Sequence, residues 1–217
     1  MACFPLMVEV EGKTAIVIGG GRVALHKIKV LLPFGVRIKV ISEHFVDALL
    51  ELAEKNTSVI TLIQRSFEET DIVSADDNIC FVIAATDDPE LQGCVSKICR
   101  EKHIPVNVVD VKEHSSFYFP AIVKRDDLVV AVSTGGNSPV AAGYLKERIA
   151  GALPDYYGEL IDTLGKYRDL ALSKIEDYDE RKYFFRELLR YGEEHEGELP
   201  ESVVMERLSQ YDDGLIQ

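Results

Sequence analysis

Thr14-Ala-Ile-Val-Ile18 runs directly into Gly19-Gly20-Gly21-Arg22-Val23-Ala24, and this junction decides the fold. A continuous β-branched apolar run suits a strand buried on both faces of a parallel sheet; a strand with one wet face would alternate apolar with polar residues. From Val23 the spacing changes. Ala24, Ile28 and Leu31 recur at a helical interval, Lys27 and Lys29 are read as lying off that stripe, and Pro33 with Gly35 closes the segment. The glycines between the two patterns match G-x-G-x-x-A. Gly19 permits a tight turn, Gly21 lets the backbone approach a pyrophosphate, and Ala24 is small enough for close packing of helix on strand. The first helical N–H groups then point at the phosphates.

The alternation continues outward from this unit. Val36 to Ile41, Val59 to Ile63, Ile79 to Ala85 and Val106 to Val109 read as strands, with helices over Phe45 to Lys55 and Pro89 to Glu101. Alternating strands and helices predict a Rossmann-type α/β fold, an open parallel sheet with right-handed crossovers. After Asp110 the rhythm changes. Phe117 to Val123 and Leu128 to Ser133 predict a hairpin turning at Lys124-Arg-Asp-Asp127, and Ser138 and Pro139 open a helix that ends near Ala152. From Pro154 onward the pattern is helical, with Tyr156, Tyr157, Leu160, Leu164 and Tyr167 on one stripe. The expected organisation is a nucleotide-binding domain over 1–112, a small α+β dimerisation segment over 113–152 and a C-terminal helical domain over 153–217.

Bulk properties narrow the partners. The 217 residues carry a net charge of −13, which disfavours nonspecific binding to nucleic acid or an anionic membrane. The acidity is concentrated in residues 151–217, which hold 17 acidic and 8 basic side chains, against 20 and 16 in residues 1–150. The four cysteines include no C-x-x-C pair, and Cys80, Cys94 and Cys99 fall in apolar runs, so they are expected to be buried structural thiols. With no secretory segment and no apolar run of roughly 18 residues, the expected compartment is the cytoplasm.

Site residues follow from the strand ends, because open α/β sheets bind ligands outside the carboxyl ends of their strands. The fingerprint calls for an acidic side chain about 20 residues past the glycines to hold the ribose hydroxyls. Glu43, in Ile41-Ser-Glu-His44, can supply it, and the absence of an arginine at the strand end favours NAD over NADP. Thr86, in Ala84-Ala-Thr-Asp-Asp88, is placed on the cofactor cleft, while Asp87 or Asp88 can equally cap the next helix. Asp110 follows Asn107-Val-Val109 at the end of the fifth strand, where a carboxylate can take or give protons or can simply satisfy a loop. Glu113 and His114 stand nearby, and no second histidine lies at metal-ligand spacing.

Six strings in register carry a resemblance: Phe4-Pro-Leu-Met7, Gly19 to Ala24, Ala84 to Asp88, Asn107 to Asp110, Phe119-Pro-Ala-Ile122 and Val132-Ser-Thr-Gly-Gly-Asn-Ser-Pro139. Over about 150 residues the chain resembles the precorrin-2 dehydrogenase and sirohydrochlorin ferrochelatase module of siroheme synthases. The resemblance implies a homodimer, a tetrapyrrole substrate, and in some members insertion of ferrous iron. It carries a catalytic role onto Asp110, cofactor contacts onto Arg22, Val23, Glu43 and His44, and a place near the tetrapyrrole onto Thr134, where some members have serine. With no methyltransferase domain following, the substrate is expected to arrive from another protein. The implied reaction moves a hydride from precorrin-2 to NAD, with Asp110 as base and Lys112, Lys124 and Arg125 as cationic partners for substrate carboxylates. A non-catalytic dinucleotide sensor is the alternative; it would need the first glycine turn but not the block from Asp110 to Pro139.

Overall fold

The computed structural model describes residues 3–73 and 78–211. Its chain divides into two compact units, one ending at Phe119 and the other beginning at Pro120. The first is a Rossmann-type domain. Its strands β1 (Thr14–Ile18), β2 (Arg37–Ser42), β3 (Ile60–Gln64), β4 (Ile79–Ala84) and β5 (Val106–Val108) form one parallel sheet in the order β3-β2-β1-β4-β5. The central strand β1 is buried at every position, as its unbroken apolar sequence requires, and each such Ile or Val removed from water contributes about 1.5–3 kcal/mol.

Helices cover both faces. Ala24, Ile28 and Leu31 of α1 (Arg22–Leu31) and Leu49 and Ala53 of α2 (Asp47–Lys55) pack with Ala15, Val17, Ile38 and Ile83 on one side. Val95, Ile98 and Cys99 of α4 (Pro89–Glu101), together with Ile72 of the short α3 (Thr70–Val73), pack with Ile16, Ile18, Val82 and Val106 on the other. The chain builds outward from β1 to β3, then crosses to β4, so the order reverses between β1 and β4. That reversal opens a crevice at the carboxyl edge of the sheet.

The predicted elements form with shifts of a residue or two, and the differences have local causes. Residues 117–120, expected in a strand, lie outside β6, and the chain is held instead against β5 at Ser115, Ser116 and Phe117. Val106 and Val108 donate backbone N–H groups to the Ser116 and Ser115 hydroxyls at 2.8 and 2.9 Å. Ser116 returns its own N–H to the Val106 carbonyl, and Asn107 Nδ2 donates to the Phe117 carbonyl at 3.0 Å. Phe117 and Phe119 then stack with Phe81, with centroids 5.3 to 6.2 Å apart. Tertiary partners thus override a β-prone sequence. Cys94 is exposed rather than buried, because the buried arc of α4 is Gln92, Val95, Ser96, Ile98 and Cys99; Cys80 is half-buried and Cys99 buried, its thiol pushed up to about 12 by desolvation.

The second unit begins with the antiparallel pair β6 (Ala121–Arg125) and β7 (Leu128–Val132). The turn is tighter than the four residues anticipated: Lys124 and Arg125 remain in the strand opposite Val129 and Leu128, leaving Asp126 and Asp127 to reverse the chain. Helix α5 (Pro139–Ala152) follows, with Ser138 Oγ accepting the Ala141 N–H at 3.1 Å. The terminal helices α6 (Tyr157–Lys166), α7 (Arg168–Lys174), α8 (Tyr178–Glu194) and α9 (Glu201–Ser209) close around Leu160, Phe184, Leu188, Val204 and Leu208. Tyr156, Leu164 and Tyr167 pack against that core, while the Tyr157 hydroxyl donates to Glu193.

Candidate functional site

Three strand ends are tied together around the glycine turn. Gly19 N–H donates to the Ile41 carbonyl at 2.9 Å, Ala85 N–H to Ile18 at 2.7 Å, and Val46 N–H to Gly20 at 3.0 Å. Gly19 has φ of +112°, and a Cβ there would lie 2.1 Å from the Ala85 carbonyl oxygen. A Cβ on Gly20 would lie 2.1 Å from the His44 carbonyl oxygen. Both glycines are therefore demanded by the protein's own backbone.

Gly21 is different: a Cβ there meets nothing within 4 Å. It is the N-cap of α1, a helix with no side-chain cap and no acidic residue in its first turn. The N–H groups of that first turn, with the positive end of the helix dipole, fit an anionic pyrophosphate. Val23, at the second position of the helix, is 45% exposed although apolar, and Arg22 is exposed beside it.

Around this turn the structure gathers several of the predicted residues. Thr86 lies against it, its N within 3.3 Å of where a Gly19 Cβ would stand. Its carbonyl accepts from Gln92 Nε2 at 2.6 Å and its hydroxyl accepts the Asp88 N–H at 3.3 Å. Asp88 is the helix cap, accepting the N–H groups of Glu90 and Leu91 at 2.9 and 3.2 Å. Glu43, just past β2, accepts a hydrogen bond from the Ser66 hydroxyl, and its carbonyl accepts from Gln64 Nε2 at 3.3 Å. His44 contributes through its backbone, whose carbonyl takes the Ser42 hydroxyl at 2.8 Å and faces Gly20; the residue itself is exposed.

Asp110 is exposed at the end of β5 with φ of +64°, a left-handed conformation that aspartate adopts more readily than most side chains. His114 turns to the α4 side of the sheet: its carbonyl accepts from Ser96 Oγ at 2.7 Å, and its ring lies 3.8 Å from where a Gly93 Cβ would be. Glu113 is held there by its backbone, which accepts from Arg100. Lys112 is exposed in the same turn.

One residue read as lying off the apolar stripe of α1 belongs to this region. Lys27 lies half-buried with its Nζ 4.5 Å from the centroid of the Phe119 ring. Burial pushes its ammonium below the ordinary lysine range, and the Asp110 carboxylate opposes that shift. The sequence held the signal. Lys27 is three residues after Ala24 and four before Leu31, which places it beside the buried stripe rather than off it.

Lys124, Arg125 and Thr134 lie in the second unit. Lys124 Nζ donates to the Asp126 carbonyl, and Arg125 Nε pairs with Asp155 at 2.6 Å. Thr134 Oγ1 donates to the Ser138 carbonyl at 3.0 Å and accepts the Ser138 N–H at 3.2 Å, closing the loop that carries Gly135 and Gly136. Among the described residues no cluster of three or more His, Cys, Asp or Glu side chains could hold a metal ion, and no helix is long and apolar enough to cross a membrane.

A glycine turn between a buried strand and an uncapped helix, at the point where a parallel sheet reverses its order, defines a dinucleotide-binding domain of the Rossmann class. The chain belongs to the NAD(P)-binding family represented by the model NAD_binding_7, which matches residues 6–121; the model for the central part of sirohaem biosynthesis proteins matches residues 125–152. It is similar to the siroheme synthase of Thioalkalivibrio sulfidiphilus, 39% identical over 87% of this chain and 37% of that one. It is also similar to the siroheme synthase of Pseudomonas aeruginosa, 34% identical over 95% of this chain and 42% of that one. The chain thus spans about two fifths of the length of these relatives. The solved structure of SirC, a precorrin-2 dehydrogenase, shares the fold at a TM-score of 0.74 and 23% identity, over 97% of this chain and 100% of that one.

Proposed function

We propose that this chain is a precorrin-2 dehydrogenase that uses NAD to form sirohydrochlorin in siroheme biosynthesis. The observation that carries the reading is the placement of Asp110 at the end of β5, on the same sheet edge as the glycine turn of β1. The relatives' names supply the substrate class. Bound NAD supplies the hydride acceptor. Gly21 and the first turn of α1 bind the pyrophosphate, Arg22, Val23, His44 and Thr86 flank it, and Glu43 holds the adenosine ribose hydroxyls. Glu43, steadied by Ser66, would repel a 2′-phosphate, and this favours NAD over NADP. Asp110 accepts the proton released as precorrin-2 gives up its hydride, so the balance is sirohydrochlorin, NADH and one proton.

Lys112, Lys124, Arg125 and Thr134 are assigned to the tetrapyrrole and its carboxylates. We assign a homodimer as the working form: Val140, Tyr144 and Leu145 leave α5 with exposed apolar side chains that a second copy would cover. Substrate and cofactor are both water-soluble metabolites, and the assigned location is the cytoplasm.

The test is anaerobic incubation of the chain with precorrin-2 and NAD, following sirohydrochlorin and NADH by absorbance. A parallel reaction with added ferrous iron reads out siroheme. NAD binding without sirohydrochlorin would reject the dehydrogenase and favour a dinucleotide sensor. Asp110→Asn keeps size and shape but cannot take the proton; turnover should fall roughly 10²- to 10⁴-fold with NAD affinity unchanged. Turnover near the wild-type rate would remove Asp110 as the base.

A further inference from the structure

No arginine follows β2, but one follows β3, the strand paired beside it. Arg65 stands in the segment that supports Glu43. Gln64 Nε2 donates to the Glu43 carbonyl at 3.3 Å and the Ser66 hydroxyl donates to its carboxylate, while the residue between them turns to α3. There Arg65 Nη1 and Nη2 donate to the two carboxylate oxygens of Asp71 at 2.8 and 2.5 Å, and Nη1 also donates to the Ser66 carbonyl at 2.8 Å. The Asp71 side chain is only 7% exposed and takes a further donor, the Glu68 N–H at 2.9 Å.

Two parallel charge-assisted bonds set the direction of a guanidinium as well as its distance. An exposed ion pair holds its partners loosely; here one partner is buried, and parting the two would leave a buried carboxylate short of its cation. The guanidinium is therefore held on α3. Without Asp71 it would have another place to go. Ser66 is the next residue, about 3.8 Å along the chain, and its hydroxyl already touches Glu43, so the Glu43 carboxylate lies within the span of a freed arginine side chain. An arginine near this acidic position is what accommodates a 2′-phosphate in dinucleotide-binding sheets.

We infer that Asp71 determines the choice of dinucleotide: it holds the Arg65 guanidinium on α3, away from the Glu43 carboxylate, and so denies a 2′-phosphate the cation it would need. The inference rests on the NAD assignment proposed above. Glu43 repels a 2′-phosphate directly, and Asp71 withholds the neighbour that would offset that repulsion. Neither Asp71 nor Arg65 touches NAD in this role.

The experiment is calorimetric titration of the full chain with NAD and NADP, the weaker ligand being read from how far it lowers the apparent affinity of the stronger. Asp71→Asn keeps the shape of the side chain but removes its charge and one acceptor. The preference for NAD over NADP should fall roughly tenfold or more in this variant. Asp71→Asn combined with Arg65→Gln should return the preference to within about threefold of wild type. A purely structural ion pair would lower stability in denaturant unfolding and leave the preference where it was.

An unmoved preference in Asp71→Asn overturns the inference. So does a shift that persists in the double variant, which would assign it to another cation such as the exposed Arg22. If Asp71→Asn does not fold, Arg65→Gln alone decides: wild-type affinity for both dinucleotides is expected, and a loss of more than about threefold for either would show that the guanidinium already serves the nucleotide. A wild-type chain that binds neither dinucleotide, or that prefers NADP, refutes the NAD assignment and this inference with it. A wild-type preference for NAD with no shift in Asp71→Asn refutes the inference alone.

Discussion

Helices α1 and α4 start at the same carboxyl edge of one sheet, after β1 and β4, yet their first turns are completed in opposite ways. The first turn of α4 is finished from within: Asp88 accepts two of its N–H groups, and Pro89 occupies the first helical position, where an N–H would have no partner. That of α1 has a glycine for a cap, no capping side chain and no acid nearby. Every helix leaves about four N–H groups without intrahelical partners. A helix built only for stability satisfies them with side chains, whereas one built to bind an anion leaves them for the ligand. Adjacent strands of this sheet hold one of each.

The contrast can be broken most severely at Gly20. A methyl group there would meet the His44 carbonyl oxygen at 2.1 Å, and backbone cannot step aside as a side-chain tip can. Gly20→Ala should cost at least about 3 kcal/mol, measured by denaturant unfolding, and should take NAD binding with it. A variant of wild-type stability would mean that the turn is looser than described.

Gly21→Asp sharpens the contrast instead. With φ of −87° and ψ of −171°, position 21 already has the backbone of a helix cap, and a carboxylate there would give α1 the kind of cap α4 has. Stability should hold or rise by a few tenths of a kcal/mol, while NAD binding falls below detection in calorimetric titration, because side chain and charge occupy the phosphate position. Retained wild-type affinity would refute the assignment of the turn. Asp88→Ala, the reverse operation, is the smallest effect: about 1 kcal/mol of stability lost with NAD affinity unchanged. A large loss of affinity there would show that the α4 terminus also takes part in binding.

Most of this arrangement was legible because it is local. Strand β1 announces itself by an unbroken apolar run, α4 by Pro89 and its stripe, and the turn by glycine spacing. What escaped reading depends on distant partners. Gly20 fills an unspecified position of the motif, and only the return of the chain at His44 makes it obligatory. Lys27 was misplaced for a different reason: the helical interval does put it beside Ala24 and Leu31, but a charged side chain invites a solvent reading. Phe117 to Phe119 has strand propensity, and nothing nearby in sequence reveals that Asn107 and Phe81 will hold it. Thr134, assigned by family resemblance, has its hydroxyl engaged with Ser138 across its own loop, a use that a single hydroxyl in a glycine-rich stretch does not disclose.

The two serines that meet β5 have a consequence beyond their own neighbourhood. A border strand offers a row of free amides, and another polypeptide can line up along it and begin a fibre. Here Ser115 and Ser116 take up the outward amides of Val108 and Val106. A sixth strand would also have covered that border, but it would then have become the new exposed border itself. Two side-chain hydroxyls cover that border without passing the problem on, and they leave the amides of Val106 and Val108 already taken when another chain passes.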